Sequence, residues 1–177
     1  MFYKDERLAL LIDGPNLHSA TKSLSLEIDY KRMKQEFARR GRLLRMVYYT
    51  ALNEKDEYNP VRPLTDWLSY NGISVKTKPV KEYTDALGRP RFKGSMTVEL
   101  TTDAMMIAEH VDHMVLGTGD GDYRYLVEKL QDMGKRVSIM SSLKSSPPMV
   151  SDELRRQADN FIDIDDLREV IEREARS

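Results

Sequence analysis

Short apolar runs rich in β-branched and aromatic residues alternate with helix-period segments along the chain. RLALLID at 7–13, LLRMVYYT at 43–50, ISVKTKP at 73–79, HMVLGT at 113–118 and RVSIMS at 136–141 read as strands, with a weaker one over 161–164. Helical patterns fill the gaps. Pro15 takes a first-turn position after Asp13 and Gly14, and Asp29 caps DYKRMKQEFARRG, where Tyr30, Met33 and Phe37 form one apolar face before Gly41. Residues 60–71 open on Pro60 and stop at Gly72; residues 97–111 and 122–133 follow the same logic, the second ending at Gly134. A last, charge-laced helix is expected over about 165–175, with Leu167, Val170 and Ile171 left to dock it. This alternation predicts an α/β fold around a mainly parallel sheet. Two polar stretches interrupt it: SSLKSSPPMVSDE (141–153), expected as a mobile loop, and Thr84–Gly94, expected as a loop carrying Arg89, Arg91 and Lys93 beside Phe92.

The acidic residues Asp13 in ALLIDGPN, Asp103 in VELTTDAM, and Asp120 with Asp122 in VLGTGDGDY stand near the places where strands run out. In doubly wound sheets the functional crevice lies beyond the carboxyl ends of the strands, so Asp13 and Asp120 can be neighbours although distant in sequence. Two ionised carboxylates about 5 Å apart repel by about 3 kcal/mol at an effective dielectric of about 20. Such a group must be protonated, paired with a base, or loaded with a hard cation. Taken singly, Asp13 or Asp122 is accounted for as a helix N-cap; Asp120 is not, because a helix needs one cap and not two. Together they point to a functional acidic site that the Thr84–Gly94 loop is expected to border. Asn16 completes the first motif, as a contact to a phosphate oxygen or metal-bound water, or as a turn cap.

Glu99 and Asp103 lie four apart on a predicted helix and share a face, with Val98, Met105 and Met106 read as marking the buried side. Met105, Met106 and Met114 read as core filler, and His110 and His113 as ordinary surface or helix-end histidines. Lys76 and Lys78 alternate on one strand face, which is either an edge protected against aggregation or a track for phosphates. Arg91, Lys93 and Arg124 extend that candidate track, and Tyr83, Phe92 and Tyr123 offer stacking surfaces for single-stranded bases. GTGDGDY does not make a dinucleotide turn: the G-x-G-x-x-G spacing fails, and Asp120 and Asp122 repel a bare pyrophosphate. A phosphatase or nucleotide hydrolase using the same acidic rim is a further alternative, but it lacks a matching motif, since no P-loop lysine pattern occurs.

Composition narrows the chemistry further. The 177 residues, 40% hydrophobic, suit one domain spanning 1–177. No run approaches the ~20 apolar residues of a membrane span, and a charged segment precedes the first strand where a signal peptide has its apolar core; a cytoplasmic protein is expected. With no cysteine and only the scattered His18, His110 and His113, any metal here is expected to be oxygen-ligated. The 28 basic and 29 acidic residues give a net charge of −1, so local patches must carry any argument for nucleic acid.

In combination, ALLIDGPN (9–16), KGSMTVELTTDAM (93–105), LGTGDGDYRYLV (116–127), GKRVSIMS (134–141) and LRRQADNFIDI (154–164) resemble the NYN domain, a branch of the PIN-like metal-dependent nucleases, and within it the bacterial LabA-like proteins. The resemblance implies a three-layer α/β/α sandwich, PIN-like and Rossmann-like, with an acidic pocket for Mg²⁺ or Mn²⁺ that cleaves RNA phosphodiesters with a metal-activated water. Asp13, Asp103, Asp120 and Asp122 match the family's acidic positions and Asn16 its polar companion. Where the family usually has an aspartate two residues before Glu99, this chain has Thr97, and a hydroxyl is a poor substitute for a carboxylate toward a hard cation. Two expectations follow: a ribonuclease acting on single-stranded RNA, with Glu99 in compensation, or a catalytically impaired RNA-binding or regulatory module. The oligomeric state is left open, a homodimer included.

Overall fold

The computed structural model describes residues 1–53 and 61–175. Its strands are β1 (Arg7–Asp13), β2 (Arg42–Leu52), β3 (Ser74–Pro79), β4 (Lys81–Thr84), β5 (Pro90–Lys93), β6 (His113–Gly117), β7 (Arg136–Ser141) and β8 (Asn160–Asp163). Its helices are α1 (Gly14–Ser23), α2 (Tyr30–Arg40), α3 (Arg62–Tyr70), α4 (Thr97–Ile107), α5 (Arg124–Asp132), α6 (Asp152–Gln157) and α7 (Arg168–Ile171), with 3₁₀ turns at 108–110, 121–123 and 164–167. Six strands form one sheet in the order β3-β2-β1-β6-β7-β8, and every pairing in it is parallel. The expected α/β architecture is present, with the sheet wholly and not only mainly parallel.

Continuous apolar runs suit central strands covered on both faces. Leu8–Ile12 of β1 is fully buried, and its alternation sorts the molecule into layers. Ala9 and Leu11 point to the face packed by Leu100 and Ala104 of α4, Leu126 and Leu130 of α5 and Leu154 of α6. Leu10 and Ile12 point to the face packed by Leu17 of α1, Met33 and Phe37 of α2, Leu68 of α3 and Ile171 of α7. Asp29 caps α2 as expected, accepting from the backbone N–H groups of Lys31 and Arg32 at 3.0 and 3.1 Å. No helix among the described residues is long and apolar enough to cross a membrane.

Several expectations change. Pro60 lies outside the described residues; α3 begins at Arg62 with Pro63 in its first turn. Thr84–Gly94 is not a plain loop but the turn and second strand of an antiparallel ribbon, β4–β5, closed by Asp85, whose Oδ1 accepts from the N–H groups of Leu87 and Arg89, and by Gly88 at φ +76°. Residues 141–153 are tied down, with Ser142 Oγ donating to Asp163 and Ser151 N–H to the Gly119 carbonyl, and α6 starts at Asp152. The exposed side of α4 carries Val98, Met105 and Met106, whereas Leu100 and Ala104 are buried; Met114 is core as expected. The final helix stops at Ile171, because the chain then extends and bridges Ile28 through Glu172. His113, expected at the surface, is wholly buried against Ser138.

Candidate active site

The strand order reverses direction between β1 and β6, which makes their shared carboxyl rim the switch point of the sheet. Ile12 pairs with Gly117, so Asp13 and Thr118 emerge side by side. Thr118 then links the two turns: its Oγ1 donates to Asp13 Oδ2 at 3.1 Å and accepts from the Asp120 N–H at 3.1 Å. A second tie comes from Asn16, whose Oδ1 accepts from the Gly119 N–H at 2.8 Å. Asp120 is the cap of the following 3₁₀ turn, accepting from the Asp122 N–H at 2.9 Å, so the capping role falls on Asp120 and not on Asp122. Glycine is required at 119, because a Cβ there would stand 2.1 Å from the Met149 carbonyl oxygen.

Asp13, Asn16 and Asp120 line one open cleft of about 530 Å³. Ser95 and Thr97, at the start of α4, line it too, as do Tyr123 and the ribbon residue Phe92. Burial pushes the Asp13 carboxyl above the usual carboxylate range and the Asp120 charge adds to this, against the Thr118 hydroxyl and the Asn16 N–H, which favour the ionised form. Among the described residues no Lys, Arg or His lies within ion-pair distance of Asp13, Asp120 or Asp122. Nor do three or more His, Cys, Asp or Glu side chains among them converge as a ready-made metal cage. Two uncompensated carboxylates beside hydroxyl and amide oxygens nevertheless fit a hard cation such as Mg²⁺, which keeps several waters and needs few protein ligands.

The other candidate residues sit elsewhere. Asp122 is exposed at the start of the 3₁₀ turn and does not line the cleft. Asp103 accepts a hydrogen bond from the Tyr49 hydroxyl at 2.8 Å and lies 4.0 Å from Lys76 Nζ, while Glu99 binds Lys78 Nζ at 2.9 Å. Alternate lysines on β3 thus meet carboxylates four apart on α4, a two-rung ladder between sheet edge and helix. Arg91 is held by Asp85 at 3.1 Å, and Arg124 by Gln157 at 3.3 Å. Lys93 has no ion-pair partner among the described residues. Thr97 Oγ1 is 2.6 Å from Ser95 Oγ, and its backbone N–H donates to the same oxygen at 3.3 Å.

The NYN domain pattern matches residues 7–165. The chain belongs to the NYN domain family. This NYN domain is 30% identical to the low amplitude and bright protein LabA of Synechococcus elongatus over 99% of the chain and 93% of that protein. It is also similar to a crystal structure of a protein of unknown function from Vibrio parahaemolyticus, with TM-score 0.76, 26% identity, and coverage of 97% of this chain and 99% of that one. Sequence reasoning missed Thr118, the hydroxyl that joins the two acidic turns of the NYN domain, and Ser95, the partner of Thr97 in the cleft. Both lie inside the motifs that drew attention, but a serine or threonine beside an acidic residue is too common a pattern to single out without the register of β1 on β6.

Proposed function

We propose that this NYN domain hydrolyses RNA phosphodiester bonds with Mg²⁺ or Mn²⁺ held by Asp13 and Asp120. The observation that carries the reading is the pair itself: two carboxylates from adjacent strand ends share a cleft with no countercharge among the described residues. When bound, the cation supplies a nucleophile at neutral pH and neutralises charge on the phosphate. Asn16, its carbonyl oxygen fixed by the Gly119 N–H, keeps its amide N–H₂ free to donate to a phosphate oxygen. Thr118 holds the two turns in one arrangement, so both carboxylates are placed before substrate arrives. Asp122 contributes through its backbone N–H, which holds Asp120 Oδ1 at 2.9 Å. Asp103, bound to Tyr49, contributes by fixing α4 beside the sheet.

The test is cleavage of a labelled single-stranded RNA with Mg²⁺, Mn²⁺ or EDTA, with Asp120→Asn run in parallel. Metal-dependent cleavage that is absent in the variant is the expected result; cleavage retained by both Asp13→Asn and Asp120→Asn would sink the reading. A second reading, an impaired RNA-binding or regulatory module, is favoured by Thr97, which lines the cleft with a hydroxyl already engaged by Ser95. Thr97→Asp separates the two: a gain of metal-dependent cleavage identifies a weakened nuclease, and RNA binding without any gain identifies the module.

A further inference from the structure

Resting on the nucleic-acid reading above, we propose that the β4–β5 ribbon is a grip for single strands: Phe92 stacks an unpaired base at the cleft while Lys81 and Lys93 hold backbone phosphates of the same strand. All strand residues of the ribbon are exposed, and it stands apart from the six-stranded sheet. A lone two-stranded ribbon of this kind adds little to stability. Its base is anchored at the cleft, where the Val80 N–H donates to the Leu52 carbonyl and Val80, Gly94 and Ala51 line the same cavity as Asp13.

The charges along the ribbon are unevenly compensated. Toward its tip, Arg89 and Arg91 share Asp85 at 3.1 Å each. At its base Lys81 lies directly opposite Lys93, and neither has an ion-pair partner among the described residues. Like charges directly across a ribbon are destabilising, so the fold gains nothing from this pair, and a polyanion placed over it does. One residue away, Phe92 is 59% exposed yet lines the cleft. Successive residues of a strand face opposite sides, so an RNA strand that stacks a base on Phe92 turns over the ribbon edge to reach the two lysines. Stacking requires a free base face, which a duplex does not offer.

The experiment is fluorescence anisotropy in EDTA, where the proposed nuclease is silent. Labelled single-stranded RNA is compared with an abasic strand of equal length and with blunt duplex RNA. Phe92→Ala is expected to weaken the base-bearing strand about tenfold and leave the abasic strand unchanged, and Phe92→Trp to restore binding. Lys81→Gln combined with Lys93→Gln is expected to weaken both single strands alike and to flatten the salt slope by about 1.4. Equal effects of Phe92→Ala on both strands, no effect on either, duplex bound as tightly as single strand, or no binding at all would each overturn the grip. Because no step depends on cleavage, its failure leaves Asp120-dependent hydrolysis standing, and loss of the nuclease reading leaves the binding pattern standing.

Discussion

Burial and the neighbouring Asp120 charge raise the Asp13 carboxyl above its ordinary value, so folding disfavours its charged form. For a carboxyl raised on folding, the favourable contribution is present below the unfolded value near 3.8 and is lost as pH rises through the higher folded value. Asp13→Asn is therefore expected to raise the melting temperature at pH 7, with the gain disappearing below about pH 3.8. An unchanged or lower melting temperature at pH 7 would show that Asp13 has a compensating partner. The same residue reports cation binding without any need for cleavage. A cation at about 100 times its Kd stabilises by about 2.7 kcal/mol, which for a chain of this size lifts the melting temperature by roughly 5–10 °C. Mg²⁺ is expected to produce that shift in the intact chain and not in Asp13→Asn; equal shifts in both place the ion elsewhere.

The acidic turn after β6 and the segment after β7 are built as one piece, since the Ser151 N–H donates to the Gly119 carbonyl and the Met149 carbonyl occupies the space a Cβ at 119 would need. Gly119→Ala sets a methyl against backbone, so a loss of about 1–3 kcal/mol is expected, together with displacement of Asp120 and loss of cleavage. Denaturant midpoints and a cleavage assay check both, and full stability in the alanine variant would mean that the 141–151 segment yields easily. At this scale the chain is unevenly legible. β1 reads correctly end to end because a doubly covered strand leaves a continuous apolar run, and Asp13, Asn16 and Asp120 stand out because they follow such runs. The β4–β5 ribbon escaped because its short polar strands lack an apolar stripe, although Asp85 and Gly88 carried the turn signal. TVELTTDAMMI spreads apolar residues around α4, so its buried side at Leu100 and Ala104 was decided by the sheet beneath it. The pairing of Lys76 and Lys78 with Asp103 and Glu99 depends on packing between distant segments that no local pattern encodes.

Across the whole molecule the two rims of the sheet respond to acid in different ways. The carboxyl rim holds Asp13 and Asp120, while the amino rim holds His113, the first residue of β6, with its ring stacked on Phe2 at 4.7 Å and Nε2 2.7 Å from Ser138 Oγ. Its Nδ1 has no hydrogen-bond partner among the described residues, and Glu6, 3.7 Å away, is already engaged by Arg136. Burial, with the Arg136 and N-terminal charges adding to it, lowers the imidazole to about 4. The folded chain therefore keeps His113 neutral while the unfolded chain takes up a proton near pH 6.5. Stability is full above about 6.5 and falls as pH drops toward 4, by on the order of 3 kcal/mol from this group, or roughly 6–12 °C in melting temperature. His113→Gln is expected to remove most of that slope between pH 6.5 and 4, measured as the difference between variant and intact chain. Parallel slopes in the two proteins would assign acid sensitivity to other groups. Because Asp13 responds in the opposite direction and at the opposite rim, Asp13→Asn should leave the His113-dependent window unchanged, so a double variant is expected to show additive shifts.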